Sequence, residues 1–287
     1  MLARFFSSGV LRELAHTGHS TTAGRLWQHH LVEQYGSDTP LGEFYDAIFQ
    51  RLVREYRHEY IYKNAIAEKI LLGKHNLNTA FMLTEFRVDD CKADAVVLNG
   101  TSHVYEIKSE MDSFERLDRQ LAAYRKMFDF ITVITTERLF TAVEERVPVE
   151  VGIRVLAEGK YQFRVHECRR EAISNKANVD PFVIFDSLQR QEYLKIIKDA
   201  FGVSLDHLPN TQIYGEAKKL FVQLSPETAH DNMVEVLKKR KQARRLVDFI
   251  MEVPNSLKAA SLSIRLTNEE RNRFVGLLHR GIGATFM

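Results

Sequence analysis

The sequence has few cysteines and no long apolar run. Its 287 residues include two cysteines, Cys91 and Cys168, which lie far apart and form no Cys-x-x-Cys pair. This usage argues against a disulfide scaffold or a zinc site and fits a reducing cytosol. No segment approaches the ~20 apolar residues that cross a bilayer, and residues 1–20 lack the apolar core of a signal peptide. We therefore expect a cytoplasmic protein without a membrane partner.

Several enzyme signatures are also missing. The chain contains no G-x-x-x-x-G-K-[ST] phosphate loop, no H-E-x-x-H zinc motif and no G-x-S-x-G nucleophile elbow. The net charge is only +2, so any surface that binds nucleic acid must be local. Hydrophobic residues make up 45% of the chain, which is ample for a packed core.

One stretch, residues 92–124, carries the most informative pattern. The apolar, valine-rich run 93–98 predicts a buried strand with Asp94 near its start. An Asn-Gly dipeptide follows and predicts a two-residue hairpin turn into a second strand. Side chains alternate along a strand, so Glu106 and Lys108 lie on one face of that second strand. Two buried charges at this spacing are costly unless they are paired or bind an ion.

A metal site would account for these charges. Asp94 and Glu106 lie on neighbouring strands, where their carboxylates could bind one Mg²⁺ or Mn²⁺ ion, and the carbonyl oxygen of Ile107 could be a third ligand. Lys108 beside the metal would orient or activate a water molecule for phosphodiester hydrolysis. The alternative is a structural ion pair between Lys108 and one of the two carboxylates.

These residues resemble the motif of a known enzyme family. Asp94, the Glu-Ile-Lys triplet 106–108 and a following helix with Gln120 and Tyr124 are similar to the PD-(D/E)XK nuclease superfamily, in particular to its uncharacterised bacterial branches. The similarity extends over roughly residues 60–166. One departure is that no proline precedes Asp94, where the family name would place one.

The resemblance implies a fold and an activity. The expected fold is α/β, with a restriction-endonuclease-like core of a mixed sheet flanked by helices. The expected activity is that of a Mg²⁺-dependent (endo)nuclease acting on nucleic acid, chiefly DNA, in which Gln120 supports the two acids and the lysine. The family often adds a glutamate on the preceding helix. Glu68 occupies that position, and Glu85 on the first strand competes with it. Many relatives act as dimers, so a homodimer is expected.

Hydrophobic periodicity predicts helices on both sides of this core. We divide the chain into a helical N-terminal extension (1–57), a nuclease-like core (58–168) and an α-helical C-terminal domain (169–287). The predicted core contains, in chain order, a helix, three strands, a helix, a strand, a helix and two strands. Asp112 and Ser113 are predicted to cap the helix that carries Gln120.

A basic run in the last region offers a candidate nucleic-acid contact. Six of the eight residues in 238–245 are basic and would contact several phosphates from one helix, or else form a solvated helix face. They are Lys238, Lys239, Arg240, Lys241, Arg244 and Arg245. Tyr124 is expected either to contact nucleic acid or to pack in the core.

Two other functions stay open at this point. The chain could be a catalytically silent relative that binds nucleic acid within a defence or repair complex. It could also be a structural protein whose helical arms mediate assembly.

Overall fold

The computed structural model describes residues 1–55, 58–72, 80–110, 112–156, 168–239 and 245–286, with only the backbone of 245–247. These residues form two compact units. The sheet unit comprises the described residues from 80 to 239, and the helical unit comprises those up to 72 and those from 245 onward. The grouping differs from the predicted regions 1–57, 58–168 and 169–287. The reason is that the helices between residues 181 and 239 share one core with the sheet, while the two chain ends pack together.

The sheet unit contains a six-stranded mixed sheet, which confirms the predicted α/β class. The strands lie in the order of the sequence, and the first three are antiparallel. The third, fourth and fifth strands are parallel, and the sixth is antiparallel to the fifth. They are β1 (Phe81–Val88), β2 (Cys91–Leu98), β3 (Ser102–Ile107), β4 (Phe130–Thr136), β5 (Gly152–Leu156) and β6 (Cys168–Arg170).

Helices make up most of the rest of the described chain. None of them, within the described ranges, combines the length and the apolarity needed to cross a membrane. In chain order they are α1 (Ser8–Thr17), α2 (Thr21–His30), α3 (Leu41–Glu55), α4 (Glu59–Ala65), α5 (Leu117–Arg125), α6 (Phe140–Arg146), α7 (Pro181–Ser187), α8 (Arg190–Phe201), α9 (Asn210–Phe221), α10 (Pro226–Lys239), α11 (Arg245–Glu252), α12 (Lys258–Ser263), α13 (Asn268–Leu277) and α14 (Ile282–Thr285). A 3-10 turn, Leu2–Phe6, precedes α1, and a π-helical segment, Ile66–Leu72, follows α4.

The core of the sheet unit follows the predicted hydrophobic stripes. The β-branched run of β4 lies inside the sheet between two parallel neighbours, as a doubly covered strand should. Helix α5 packs on the sheet through Leu117, Leu121 and Tyr124, all three of which are buried. Helices α7 to α10 add Phe185 and Phe221 to the same core. Burial of such large side chains stabilises the fold by about 1.5–3 kcal/mol each.

Three local predictions were wrong. The hairpin between β2 and β3 has three loop residues rather than two, because Leu98 pairs with Ser102 and only Gly100 has positive φ (+73°). Ser113 does not cap α5, because the helix begins only at Leu117. The Ser113 hydroxyl accepts a hydrogen bond from the Glu115 N–H instead. The C-terminal region is not purely α-helical, because β6 extends into it. The predicted strand 161–166 lies outside the described residues.

The helical unit brings the two chain ends together. Phe5, Phe44 and Phe286 form mutual ring contacts with centroids 5.1–5.9 Å apart. The Leu41 N–H donates to the carbonyl oxygen of Arg280 at 2.8 Å, which ties the start of α3 to the C-terminal segment. The N-terminal turn, α3 and the C-terminal segment therefore stabilise one another.

A close approach between α2 and the C-terminal segment gives the first prediction. A Cβ atom at Gly24 would overlap the backbone carbonyl of Phe286, whereas one at Gly276 in α13 would meet nothing within 4 Å. Gly24→Ala should lower the free energy of unfolding by about 1–3 kcal/mol through overpacking. The control Gly276→Ala should raise it by about 0.5–1 kcal/mol through helix propensity. Urea unfolding followed by circular dichroism measures both, and equal stability of the two variants would contradict the packing.

A buried histidine connects β3 to α10. The Asp129 N–H donates to Ser102 Oγ at 3.1 Å, and Ser102 Oγ lies 2.7 Å from His230 Nε2. His230 Nδ1 lies 3.1 Å from Asp231 Oδ1. A neutral imidazole with its proton on Nδ1 satisfies every one of these groups, since Ser102 then donates to Nε2. Ser102 and His230 are fully buried, so this serine–histidine–aspartate arrangement is a structural network.

The network makes stability depend on pH. Burial lowers the pKa of His230 below 6.5, although Asp231 and Asp129 face the ring and act in the opposite direction, and Lys176 pairs with Asp231. The unfolded state therefore binds the proton first, and the folded state loses stability as pH falls below about 6.5. Wild-type protein should lose more unfolding free energy between pH 7 and pH 5 than His230→Gln does. As a control, His29→Gln, at an exposed position, should lose as much unfolding free energy as the wild type. If His230→Gln also lost as much as the wild type, His230 would not be the group responsible.

Candidate functional site

The site lies where β2 and β3 separate. Their ladder runs from the Leu98–Ser102 pair to the Ala95–Tyr105 pair and ends there. Beyond that point the backbone N–H of Ile107 donates to Asp94 Oδ2 at 2.8 Å. The Asp94 carboxylate therefore takes the place of a backbone acceptor on the neighbouring strand, and this contact fixes its position next to β3.

Lys108 follows β3 and is held by β4. Its N–H donates to the carbonyl oxygen of Ile134 at 2.8 Å, and its carbonyl oxygen accepts the hydroxyl hydrogen of Thr135 at 3.0 Å. Thr135 is fully buried. Sequence reasoning missed this role of Thr135, because a threonine inside a β-branched run is typical of any buried strand.

The charged side chains of the site form one buried network. Lys108 Nζ donates to Glu106 Oε1 and to Gln120 Oε1, both at 2.9 Å. The Tyr124 hydroxyl donates to the other carboxylate oxygen, Glu106 Oε2, at 2.7 Å. Glu106 is 1% exposed and Lys108 4%. Helix α5 thus supplies both of the uncharged groups that complete the Glu106–Lys108 pair.

The electrostatics reflect this burial. Burial raises the pKa of Glu106, and the Lys108 charge and the Tyr124 hydrogen bond only partly offset it. Burial also raises the pKa of Tyr124, and the negative charges of Glu106 and Asp94 raise it further. Both acids therefore lie near the same phenol, and Tyr124 remains a hydrogen-bond donor at neutral pH.

An additional carboxylate lies across the ladder from Asp94. A carboxylate oxygen of Glu85 lies within 4.8 Å of one of Asp94. Glu85 on β1 has a positive φ of 57°, which is uncommon for a residue with a side chain, and it pairs with Lys92. Glu68 belongs to the helical unit, on the π-helical segment, where it forms an ion pair with Lys69. Glu85 is therefore the further acid that the sheet unit itself supplies.

The structure joins most of the predicted site residues. Glu106, Lys108, Gln120 and Tyr124 form one hydrogen-bonded set. Asp94 is bonded to the neighbouring Ile107 N–H and lies near enough for its charge to raise the pKa of Tyr124. Ile107 thus contributes its N–H, in addition to the carbonyl oxygen that was predicted as a ligand.

The predicted basic helix is only partly described. Lys238 and Lys239 end α10, and Lys239 pairs with Glu235 one turn earlier. Arg245 opens a separate helix, α11, in the helical unit. The other three basic residues lie outside the described residues; they are Arg240, Lys241 and Arg244.

The donor set is chemically suited to a hard cation, with one condition. Asp94 and Glu85 carry carboxylate oxygens within 4.8 Å of one another, of the kind that Mg²⁺ and Mn²⁺ prefer. Both oxygens of Glu106, however, already accept hydrogen bonds from Lys108 and Tyr124. A metal ligated by Glu106 would have to share or replace one of them. The lysine amine is the partner that would keep another acceptor, Gln120 Oε1, after leaving Glu106.

Comparison with known proteins identifies the family of the chain. A family model described as Bacteriophage P4 protein cII matches residues 53–263. Protein cII of Enterobacteria phage P4 is 27% identical over 139 residues, which are 48% of this chain and 52% of the phage protein. The chain thus spans about half the length of this curated relative. No solved structure matches the chain significantly. Because the family model covers more than half of the sequence, the chain belongs to the bacteriophage P4 protein cII family.

Proposed function

We propose that the sheet unit is a metal-dependent nuclease that hydrolyses phosphodiester bonds in DNA. The observation that carries the proposal is the buried Glu106–Lys108 pair at the end of β3, with Asp94 anchored beside it on β2. A lysine and two acids at this point of a mixed sheet are the arrangement expected from the PD-(D/E)XK resemblance. A restriction-endonuclease-like core is part of the same proposal.

Each residue has a defined part in this proposal. Asp94 and Glu106 would hold Mg²⁺ or Mn²⁺, with the Ile107 carbonyl oxygen as a third ligand. The bound metal would supply a Lewis acid and lower the pKa of a water molecule. Lys108 would orient that water, and Gln120 would hold the Lys108 amine in place. Tyr124 would keep Glu106 oriented by donating to Oε2, and Glu85, in preference to Glu68, would add negative charge near Asp94.

The remaining sequence-based expectations belong to the proposal as well. They are a homodimer, a cytoplasmic location and phosphate contacts from Lys238 and Lys239. A role in defence or repair would follow from the nuclease activity.

A cleavage assay tests the enzyme directly. Wild-type protein with Mg²⁺ or Mn²⁺ should cut single-stranded, duplex or branched DNA, and chelation should stop the reaction. Asp94→Asn and Lys108→Met should each lower the rate by about 100-fold or more, because the first removes a ligand of the metal and the second removes the amine that orients the attacking water.

Lys126→Met provides the matched control for this assay. Lys126 is an exposed lysine of the same unit that pairs with Asp89, and its loss should leave the rate unchanged. Cleavage that persists without a divalent metal, or that survives in Lys108→Met, would contradict the proposal.

A second candidate is a catalytically silent protein that binds nucleic acid. It is favoured by the completeness of the Glu106–Lys108 pair, in which both carboxylate oxygens are hydrogen-bonded by protein groups alone. This candidate predicts that DNA binding is unchanged in Lys108→Met and that no metal ion induces cleavage. Absence of both binding and cleavage, together with a stable oligomer, would instead favour an assembly role.

The Glu106–Lys108 pair matters for the stability of the fold whichever of the two candidate functions is correct. Lys108→Met leaves a buried carboxylate without its cation and should cost about 3–5 kcal/mol of unfolding free energy. The double variant Glu106→Gln/Lys108→Met should cost clearly less than the sum of the two single variants.

The exposed Lys239–Glu235 pair is the control for this cycle. Both of its side chains are more than half exposed, so Lys239→Met should cost less than about 1 kcal/mol. Urea unfolding measures all four variants. If the losses of unfolding free energy in Glu106→Gln and Lys108→Met simply add up in the double variant, the two side chains are not coupled.

A further inference from the structure

A polar pocket lies within the helical unit, whereas the proposed nuclease site belongs to the sheet unit. The pocket has a volume of about 330 Å³ and is lined by residues of α11 and α13. This volume is at the lower end of the range of small-molecule sites, about 300–1,000 Å³. The pocket walls include Phe249, two carboxylates, two asparagines and one arginine.

The arginine, Arg271, is the unusual member of the pocket. It is only 8% exposed, and its guanidinium makes no hydrogen bond or ion pair with any described residue. The guanidinium carbon lies over the ring of Phe249, 6.0 Å from the ring centroid. The guanidinium nitrogen atoms are not among the buried polar atoms that lack a partner, so they reach solvent and leave N–H donors available to a ligand in the pocket. Partial burial of the side chain lowers the pKa of Arg271.

The rest of the pocket restricts the kind of ligand that would meet this arginine. Asp248 and Glu252 lie one turn apart on α11, line the same pocket and are exposed. Neither forms an ion pair with Arg271 in the described structure. A simple anion would be repelled by these two carboxylates, whereas a cation would be repelled by the arginine. A ligand that carries both charges would satisfy both sets of groups.

We propose that this pocket binds a free α-amino acid. Its carboxylate would accept two N–H bonds from Arg271, in the bidentate geometry that guanidinium favours. Its ammonium would face Asp248 and Glu252, and its side chain would lie against Phe249. Asn268 and Asn272, which line the pocket from the same face of α13, offer further donors to the carboxylate.

The experiment uses the full chain and the twenty standard amino acids, added singly at about 10 mM in a thermal-shift assay. At least one should raise the midpoint of unfolding by about 3 °C, as expected for a ligand present well above its dissociation constant. Calorimetric titration should then show that the best binder loses at least 10-fold in affinity when its amino or its carboxyl group is removed.

Variants identify the groups responsible. Arg271→Gln should abolish the shift, while the exposed Arg280→Gln in the same unit should keep it. The double variant Asp248→Asn/Glu252→Gln should bind the deaminated carboxylic acid that the wild type rejects, and this gain distinguishes a binding role from loss of folding. The proposal is overturned if no amino acid shifts the midpoint, or if the shift survives in Arg271→Gln.

Discussion

The ion pair between Glu106 and Lys108 is the interaction on which the sheet unit's candidate site depends. Both side chains have lost nearly all of their hydration, so each charge relies on the other and on Gln120 and Tyr124 for compensation. Such a pair is favourable only where geometry is fixed. That geometry comes from the sheet, since β4 holds the Lys108 backbone on both sides and Asp94 fills the gap left where the β2–β3 ladder ends.

A buried pair of this kind links stability to function. In the proposed function, a metal ion on Glu106 would compete with Lys108 for Oε1, the carboxylate oxygen that now accepts from the lysine amine. Gln120 reduces that competition because it gives the lysine an alternative acceptor. The raised pKa of Glu106 has the opposite effect, since a proton on Glu106 would compete with both the lysine and a metal ion.

The sequence allowed part of this site to be predicted. Alternation along β3 placed Glu106 and Lys108 on one face, and the 3.6-residue period of α5 brought Gln120 and Tyr124 towards them. The contact between Asp94 and the Ile107 N–H could not be predicted, because it depends on where the ladder between two strands stops. The contact of Phe5 and α3 with the C-terminal segment was missed for a similar reason. Periodicity shows that a helix has an apolar face, but not which distant segment covers it.

Calorimetric titration of Mn²⁺ tests the central claim, that Asp94 and Glu106 form one metal site, without requiring a nucleic-acid substrate. The account predicts one saturable site in the wild type, which tightens as pH rises because a protonated Glu106 cannot bind the metal. The same site should be lost in Asp94→Asn and in Glu106→Gln and kept in Lys126→Met. Absence of Mn²⁺ binding by the wild type, or equal binding by all four proteins, would contradict it.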